Sequence, residues 1–420
     1  MINNKLLIIS YYWPPSGGSG VQRWLNFSNI LVKKGWDITV FTAEKANYPI
    51  NDNRLEQTVD ESIKVFRVPI LEPAGFFKTN NTDNVKSLSF FQRIILWIRA
   101  NIFFPDSKMF WIKNVTNQAT KYIKQNNIDC LITTAPPFST HVIGLNIKKN
   151  TNIKWVSDFR DPWVDFFQFK LLPMSSFIRN KHSKFESKCL NFADAIITTS
   201  PSLTKTYSLK NSNSYTLTNG FNSIIDNKET DKFLMMYSGV MKSIQNPKSF
   251  WKILKEICLE NQNFSDDLLV RFIGNFDKEI VNNNDIKLIE SKIKFEKYLE
   301  KSKLDIEMSK AKVLILSSVN LNTVNNIIPG KLFYYFSFKR PILAFSKLNS
   351  DVSDIISKTS TGKVFDYSNE VDLKKYILEL YSNYKTKKNN FKPKGIALFT
   401  YDNLSKSLND LLKNTINEWE

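Results

Sequence analysis

Short apolar runs rich in β-branched residues alternate with amphipathic segments over the first 220 residues, a pattern typical of parallel strands flanked by helices. These runs predict strands at KLLIIS (5–10), DITVFTA (37–43), KVFRVPI (64–70), DCLITTA (129–135), IKWVSD (153–158), DAIITTS (194–200) and SYTLT (214–218). Between the first two runs, helical spacing places six side chains on one face: Val21, Trp24, Leu25, Ser28, Leu31 and Val32. Gly35 follows at the position of a left-handed helix cap.

The alternation stops at a polar, turn-like stretch, residues 219–232, and then restarts. Further strands are predicted at FLMMYSG (233–239), LLVRFIG (268–274), AKVLILSS (311–318), RPILAFS (340–346) and GKVFDY (362–367). A last helix is predicted over residues 398–416, with Asp402 or Asn403 as its cap. The fold class is therefore α/β, with two domains of similar architecture.

Composition narrows the class of partner. The chain has 420 residues, and 58 basic against 40 acidic side chains give a net charge of +18, which favours nucleotide phosphates, a lipid surface or nucleic acid. No run of about 18 apolar residues and no signal peptide is present, so we expect a cytoplasmic protein. Three widely spaced cysteines predict reduced core thiols, and two histidines argue against a zinc site: Cys130, Cys189, Cys258, His141 and His182.

A glycine-rich loop, YYWPPSGGSG (11–20), follows the first predicted strand. Ligands of open α/β sheets bind at this edge, glycines let the backbone approach them closely, and the next helix favours an anion at its start. The loop therefore predicts a phosphate site at Gly17 and Gly18, although a connection that merely turns the chain would look the same. Arg23 stands where a dinucleotide fingerprint has its third glycine, which argues against a nicotinamide or flavin enzyme.

Six stretches carry a resemblance to one family: YYWPPSGGSGVQRW (11–24), TTAPPFSTHVIGL (133–145), WVSDFRDPW (155–163), FADAIITTSPSL (192–203), LTNGF (217–221) and IIPGKLFYYFSFKRPIL (327–343). Because these stretches occur in the family's order, the chain resembles the GT-B glycosyltransferases, specifically the retaining enzymes of family 4 and its 4-like N-terminal domains. The resemblance implies two Rossmann-like domains that face each other across a cleft. It assigns acceptor binding to residues 1–225, nucleotide-sugar binding to residues 226–396, and a helix in 397–420 that packs back toward the N-terminal domain.

The resemblance also implies a reaction in which a sugar leaves its diphosphate and joins an acceptor hydroxyl. Negative charge builds on the departing diphosphate, so fixed donors aimed at it accelerate the step. On this basis Gly17 and Gly18 offer amides from one domain, and Gly330 and Lys331 offer a helix start from the other. Lys242 is assigned to neutralise the diphosphate, with a solvated surface lysine as the alternative reading.

One position departs from the family pattern. The helix after the phosphate loop typically reads G-K-L-F-E-Y in such enzymes, where the acid holds the ribose hydroxyls, and this chain has Tyr334 there. A phenol cannot clamp two hydroxyls as a carboxylate can. Tyr334 is kept as a ribose contact, and either the ribose is held differently, the donor preference has shifted, or activity is reduced.

The N-terminal candidates follow two other strands. Asp161 and Arg160, in DFRDP, are assigned to position the acceptor or donor sugar, with Asp158 as a structural partner of Arg160. The alternative is an Asp–Arg pair that only pins the loop. His141 follows TTAPPFST, where Ser139 or Thr140 could cap a helix; a neutral His141 could polarise an acceptor hydroxyl or simply pack at the helix start.

No Asp-x-Asp triplet occurs, which argues against the metal-dependent GT-A class, so neither a metal nor another cofactor is expected beside the nucleotide sugar. Residues 87–113 combine aromatic and aliphatic side chains with four cations, which suits an anionic bilayer or a groove for a lipid-linked acceptor, or else a core helix. We therefore expect a retaining glycosyltransferase that uses a glycan or polyprenyl-linked acceptor. Two possibilities stay open: attachment to the inner membrane face, and a non-catalytic protein that binds a nucleotide sugar or a glycan. Nucleic acid is not an expected partner.

Overall fold

The computed structural model describes residues 4–72, 89–320, 327–388 and 391–417. The chain divides into two compact units. Unit 1 comprises Met1–Asn219 and Tyr401–Glu420, and unit 2 comprises Gly220–Thr400.

The strands of the described residues occur in the order that the sequence pattern predicts. They are β1 Lys5–Ile9, β2 Asp37–Glu44, β3 Lys64–Pro69, β4 Cys130–Ala135, β5 Lys154–Phe159, β6 Ala195–Thr198, β7 Ser214–Thr216, β8 Phe233–Met241, β9 Leu268–Phe276, β10 Ile293–Glu296, β11 Val313–Ser317, β12 Ile342–Phe345 and β13 Gly362–Phe365. All twelve predicted strands are confirmed, and only β10 is an addition to the prediction.

Helices connect most of these strands. They are α1 Ser19–Lys33, α2 Phe90–Ile102, α3 Met109–Asn126, α4 Ser139–Asn150, α5 Phe167–Leu171, α6 Ser176–Phe192, α7 Pro201–Ser208, α8 Lys248–Glu260, α9 Gln262–Asp267, α10 Lys278–Val281, α11 Asn284–Leu288, α12 Lys301–Met308, α13 Lys331–Phe336, α14 Asp351–Thr359, α15 Glu370–Lys385 and α16 Tyr401–Asn417. The helix predicted from residue 21 onward is α1, and Gly35 has the expected positive φ of 88° just beyond its end.

Unit 1 contains a seven-stranded parallel sheet in the order β3-β2-β1-β4-β5-β6-β7. Leu7 and Ile9 of β1 join the core on one face of the sheet, and Leu6 and Ile8 join the core on the other. Successive side chains of a strand alternate between faces, so a strand covered on both sides is apolar throughout. This explains why β1 reads as a continuous apolar run.

The C-terminal helix α16 belongs to unit 1, as expected. Its Tyr401 ring meets Phe27 of α1 edge-on, with ring centroids 5.2 Å apart, and Asn409 accepts a 3.0 Å hydrogen bond from the Trp36 indole. Leu404, Leu408 and Leu412 lie in the same core. The helix begins at Tyr401, which places Asp402 in the first turn instead of at the predicted cap position.

Unit 2 contains a six-stranded parallel sheet in the order β10-β9-β8-β11-β12-β13. The unpredicted strand, β10, is short, lies at the edge and carries alternating charges, so its IKFE sequence lacks the apolar run of a central strand. Glu296 of β10 is paired with Arg271 of the neighbouring β9 at 2.6 Å. This cross-strand ion pair helps to place β10 in the sheet.

The remaining sequence-level predictions concern the thiols and the membrane. All three cysteines are buried free thiols, in agreement with the predicted core role. Within the described ranges, none of the helices combines the length and hydropathy needed to span a membrane.

Candidate functional site

The strand order locates a ligand-binding edge in each unit. In both sheets the first strand of the unit lies between its second and fourth, which is the Rossmann order with a switch point at the carboxyl ends of β1 and β4 or of β8 and β11. The candidate residues follow these strands or their neighbours: Gly17 and Gly18 after β1, His141 after β4, Arg160 and Asp161 after β5, Lys242 after β8, and Gly330, Lys331 and Tyr334 after β11.

The glycine loop of unit 1 is fixed by the segment that follows β2. The Gly17 amide donates a 2.8 Å hydrogen bond to the Ile50 carbonyl, and the Asp52 amide donates to the Pro15 carbonyl. A Cβ on Gly17 would lie 2.8 Å from Ile50 Cγ2, so this glycine is required by packing. Gly18 has a φ of 83° at the start of α1, a conformation that favours glycine. The Gly17 amide is therefore used within the protein, whereas Gly18 is required by its backbone conformation.

Arg160 connects the glycine loop to the loop after β4. Its Nε donates to the Ala135 carbonyl at 3.2 Å, NH1 donates to the Gly20 carbonyl at 2.7 Å, and NH2 donates to the Pro136 carbonyl. One guanidinium thus holds the start of α1 against the end of β4. This geometry gives Arg160 a positioning role at the carboxyl edge of the sheet.

Asp158 is bound to Arg23 of α1, not to Arg160 as the sequence suggested. Arg23 Nε and NH2 donate to the two carboxylate oxygens at 3.2 and 2.9 Å, and Arg23 NH1 donates to the Thr218 carbonyl at 2.7 Å. Trp24 Nε1 and Thr134 Oγ1 also donate to Asp158, at 2.7 and 2.8 Å. Burial raises the pKa of Asp158, but Arg23 and the hydrogen bonds outweigh it and the net pKa is lowered.

The sequence pattern identified Arg23 only as the residue that breaks a glycine fingerprint, and did not predict its pairing with Asp158. Both Arg23 and Asp158 are fully buried, and 135 residues separate them. The sequence did offer one signal: Arg23 stands next to Trp24 in a helix with several apolar side chains. An arginine that is buried in such a helix requires an anionic partner.

Asp161 lies next to Arg160 and is partly exposed. Burial raises its pKa, and the nearby Arg160 acts in the opposite direction. A partly exposed carboxyl group at this edge can accept a hydrogen bond from a sugar hydroxyl. Its assigned role in positioning a substrate stays a prediction.

His141 is completely buried in α4. Its Nδ1 lies 2.8 Å from Thr133 Oγ1, and its ring centroid lies 4.0 Å from that of Phe159. Burial lowers the pKa of His141 to about 3, so the imidazole is neutral near pH 7. The placement matches the packed helix-start role that the sequence left open, and the catalytic role stays a prediction.

The start of α4 is occupied by a carboxylate. Asp106 accepts hydrogen bonds from the Ser139 amide at 2.9 Å and from the Ser139 hydroxyl at 2.6 Å. Thr140 Oγ1 instead donates to the Thr134 and Pro137 carbonyls, each at 2.8 Å. Neither Ser139 nor Thr140 is the predicted cap. The first amide of α4 donates instead to Asp106, which lies in the segment between α2 and α3.

Lys331 is the central cation of the candidate site in unit 2. Its ammonium donates a hydrogen bond to the Tyr237 hydroxyl, which in turn donates to the Val240 carbonyl at 2.7 Å. The ammonium also lies 3.8 Å from the centroid of the Tyr237 ring, and a Cβ on Gly239 would be 3.2 Å from Nζ. In the described residues no carboxylate forms an ion pair with Lys331, and burial lowers its pKa to about 7.

The helix that carries Lys331 is fixed to the end of β8. The Ser238 amide donates to the Tyr335 hydroxyl at 3.1 Å. Gly330 has helical φ and ψ angles and precedes α13 directly. Lys331 is thus held close to the loop after β8 from two sides.

Lys242 and Tyr334 are each bound to a carboxylate. Lys242 Nζ lies 3.4 Å from Asp277 Oδ1, and the Ser243 amide and hydroxyl donate to Oδ2 of the same side chain. The Tyr334 hydroxyl donates to Asp305 at 2.6 Å, and the ammonium of Lys301 lies 4.1 Å from the Tyr334 ring centroid. The Tyr334 hydroxyl already donates its hydrogen bond to Asp305, so its oxygen can only accept from a ligand hydroxyl.

Comparison with solved structures identifies the fold. The chain is similar to sucrose-phosphate synthase from Thermosynechococcus elongatus, with 13% identity, a TM-score of 0.65 and 98% of each chain covered. It is also similar to WaaG, a glycosyltransferase involved in lipopolysaccharide biosynthesis, with 11% identity, a TM-score of 0.56 and 98% of each chain covered. Anabaena HepE in complex with UDP-glucose matches with 10% identity, a TM-score of 0.55, and 99% of this chain and 97% of that chain.

These similarities extend over the whole chain, and we conclude that the protein has the GT-B fold of two Rossmann-like domains. Identities of this size show the fold alone. No protein-family model matches the sequence, and no curated protein matches it. Membership in family 4 is therefore an implication of the sequence motifs.

Proposed function

We propose that the protein is a glycosyltransferase that moves a sugar from a nucleoside-diphosphate sugar to an acceptor hydroxyl. In this proposal unit 2 binds the donor and unit 1 binds the acceptor, a glycan or a polyprenyl-linked sugar of a cell-surface polysaccharide or glycolipid. The anomeric configuration is retained, a hexose is transferred, no metal takes part, and the protein acts in the cytoplasm.

The observation that carries the proposal is the unpaired ammonium of Lys331. A partly buried cation costs free energy unless an anion compensates it, and the hydrogen-bond partner of the Lys331 ammonium is a neutral phenol, Tyr237. A diphosphate that binds here would supply the missing charge. It would also raise the pKa of Lys331, since an opposite charge favours the protonated form.

The same ammonium would act on the chemical step. As the sugar leaves, negative charge grows on the diphosphate, and a fixed cation stabilises that state more than the ground state. Tyr237 orients the ammonium by accepting its hydrogen bond, and the absence of a side chain at Gly239 leaves space beside it. Lys242 and Gly330, which belong to the same unit, would be further phosphate contacts.

The other candidates would position the two substrates. Tyr334, whose hydroxyl donates its hydrogen bond to Asp305, would accept one hydrogen bond from the ribose. In unit 1, Gly18 would approach the donor with its amide, Gly17 would hold that turn in place, and Arg160 and Asp161 would orient a sugar. His141 would contribute only as a neutral imidazole.

The test is nucleoside-diphosphate release from a panel of UDP-, GDP- and other nucleotide sugars, compared between wild type, Lys331→Met and Lys303→Met. Lys303 is an exposed lysine of the same unit and serves as the matched control. We expect Lys331→Met to lower turnover by about 10²- to 10³-fold without loss of stability, because the variant removes a desolvated charge and keeps the apolar stem. Equal turnover of the two variants would refute the role of Lys331.

The pH dependence of binding gives a second readout. Lys331 binds the diphosphate as an ammonium, and its lowered pKa means that the free protein loses this charge as the pH rises through about 7. Affinity for a nucleotide sugar should therefore weaken by up to about tenfold per pH unit above 7 in wild type. Lys331→Met should show no such slope in calorimetric titrations.

A second candidate function is a non-catalytic nucleotide-sugar or glycan-binding protein of the same fold. It is favoured by Tyr334, which occupies the position of the family's ribose-binding acid and has its hydroxyl bound to Asp305. Binding that shifts thermal stability, without turnover on any acceptor tested, would select this function. NMR of the transferred sugar would test retention if turnover is found.

A further inference from the structure

Helix α2 exposes its wider apolar face. Leu96 and Ala100 are buried, whereas Phe90 is 80% exposed, Phe91 is 72% exposed, and Ile94 and Trp97 are also exposed. Positions 90, 94 and 97 lie on one side of a helix, and position 91 lies next to them. We call these four residues, Phe90, Phe91, Ile94 and Trp97, the α2 apolar face.

A core role for residues 87–113, the sequence-based alternative, accounts for only part of this pattern. Residues 87 and 88 lie outside the described ranges. The buried residues of α2 are Leu96 and Ala100, and those of α3 include Trp111 and Val115. The α2 apolar face is not used by this core.

The end of α2 is fixed to the start of α6. Asn101 Nδ2 donates to the Pro173 carbonyl at 2.9 Å, and the Ser175 amide donates to Asn101 Oδ1 at 2.8 Å. Close to this junction Phe177, in the first turn of α6, is 77% exposed. Two aromatic segments of unit 1 are therefore held side by side by one asparagine and two backbone groups, the Pro173 carbonyl and the Ser175 amide.

Both segments are cationic. Residues 89–105 and 166–185 together contain six basic side chains and no Asp or Glu: Arg93, Arg99, Lys170, Arg179, Lys181 and Lys184. The two segments have 17 and 20 residues, and neither contains an acid, whereas the whole chain has 40 acidic side chains for 58 basic ones. Asp165, directly before the second segment, pairs with Lys170 at 3.2 Å, which leaves the other five cations of the segments.

We propose that the α2 apolar face docks on a bilayer that contains anionic phospholipids. Aromatic and aliphatic side chains enter the boundary between headgroups and acyl chains, and the surrounding lysines and arginines bind lipid phosphates. A second copy of the chain fits less well, because a self-complementary interface would bring the two cationic segments together. The proposal does not depend on the reaction that the protein catalyses.

The test is co-sedimentation of the full chain with vesicles of phosphatidylcholine alone or with 30 mol% phosphatidylglycerol, where the latter figure is roughly the anionic content needed for surface attraction. Wild type should bind the anionic vesicles and lose affinity as salt rises. Phe90→Ser with Phe91→Ser should lower the partition coefficient by about tenfold or more, because two largely exposed aromatic rings lose their burial in the membrane. Leu209→Ser, at an exposed leucine elsewhere in unit 1, is the control and should bind like wild type.

A charge variant separates the two contributions. Lys181→Gln with Lys184→Gln should weaken binding to anionic vesicles and reduce its salt dependence, while the Phe90 and Phe91 variant keeps the salt dependence of wild type. Two results would overturn the proposal: wild type that does not bind anionic vesicles, or a Phe90 and Phe91 variant that binds as well as Leu209→Ser. Concentration-dependent dimerisation that the same variant abolishes, without vesicle binding, would assign the face to a second copy instead.

Discussion

The buried pair between Arg23 and Asp158 gives the sharpest quantitative prediction for this fold. Asp158 accepts four hydrogen bonds, two from Arg23, one from Trp24 and one from Thr134, and the pair is shielded from solvent. Asp158→Asn preserves the shape of the side chain. It removes the negative charge, however, and turns an NH₂ group toward neighbours that are themselves donors.

The expected cost follows from this geometry. Removing one partner of a buried ion pair leaves an uncompensated charge, which destabilises proteins by about 3–5 kcal/mol. Arg23→Met should cost a similar amount, since Asp158 would then be a buried carboxylate without its cation. The double variant Arg23→Met with Asp158→Leu leaves no buried charge and should cost less than the sum of the two single variants.

Urea unfolding of the full chain measures these costs, and hydrogen–deuterium exchange assigns them to a unit. Peptides of unit 1 should lose protection in Asp158→Asn, while peptides of unit 2 serve as an internal control. Asp37→Asn is the matched variant, because Asp37 forms an exposed pair with Lys64 at 3.1 Å and should cost about 1 kcal/mol or less.

The pair also predicts how stability depends on pH. The folded-state pKa of Asp158 is lowered, so its contribution is complete above the unfolded pKa of about 4 and is lost as the pH falls through the lower folded value. Asp158→Asn should therefore lose less stability than wild type on acidification below pH 4. If Asp158→Asn costs no more than Asp37→Asn, the assigned role of the pair is wrong.

Two further predictions concern the candidate site. Gly18→Ala and Gly35→Ala place a side chain at nearly the same positive φ, 83° and 88°, so both should lower stability by about 1 kcal/mol in urea unfolding, but only Gly18→Ala should lower nucleotide-sugar turnover. Equal turnover in the two variants would remove Gly18 from the site. Tyr334→Glu introduces the acid found here in the enzymes that the sequence resembles, but places it against Asp305, so nucleotide affinity measured by calorimetry should fall, and Tyr334→Glu with Asp305→Asn should recover it. A gain in affinity from Tyr334→Glu alone would contradict this account.

The fold was predictable because central parallel strands are apolar on both faces. Strands such as β1 and β11 read as continuous apolar runs, and their order along the chain determined the class. The edge strand β10 was not predictable in the same way, since half of IKFE is charged and its place depends on Arg271 of β9.

The positions of the candidate residues after the strand ends were predictable, but their contacts were not. Strand ends placed the candidates at the carboxyl edges, whereas hydrogen-bond partners come from segments far apart in sequence. Arg160 was expected to bind Asp158, yet its donors go to the carbonyls of residues 20, 135 and 136, and Asp158 is bound by Arg23. Local spacing carries no information on which of two arginines reaches a buried carboxylate.

The two positions at which the sequence departs from known patterns share one physical feature. Arg23, at the place of a fingerprint glycine, binds Asp158, and Tyr334, at the place of a ribose-binding acid, donates to Asp305. In each case the unusual side chain is a donor, and a carboxylate from another element accepts from it. A donor in a buried or half-buried position requires an acceptor, and in both cases the carboxylate supplies it. Donor binding is therefore best examined at the Tyr334–Asp305 pair, and the stability of unit 1 at the Arg23–Asp158 pair.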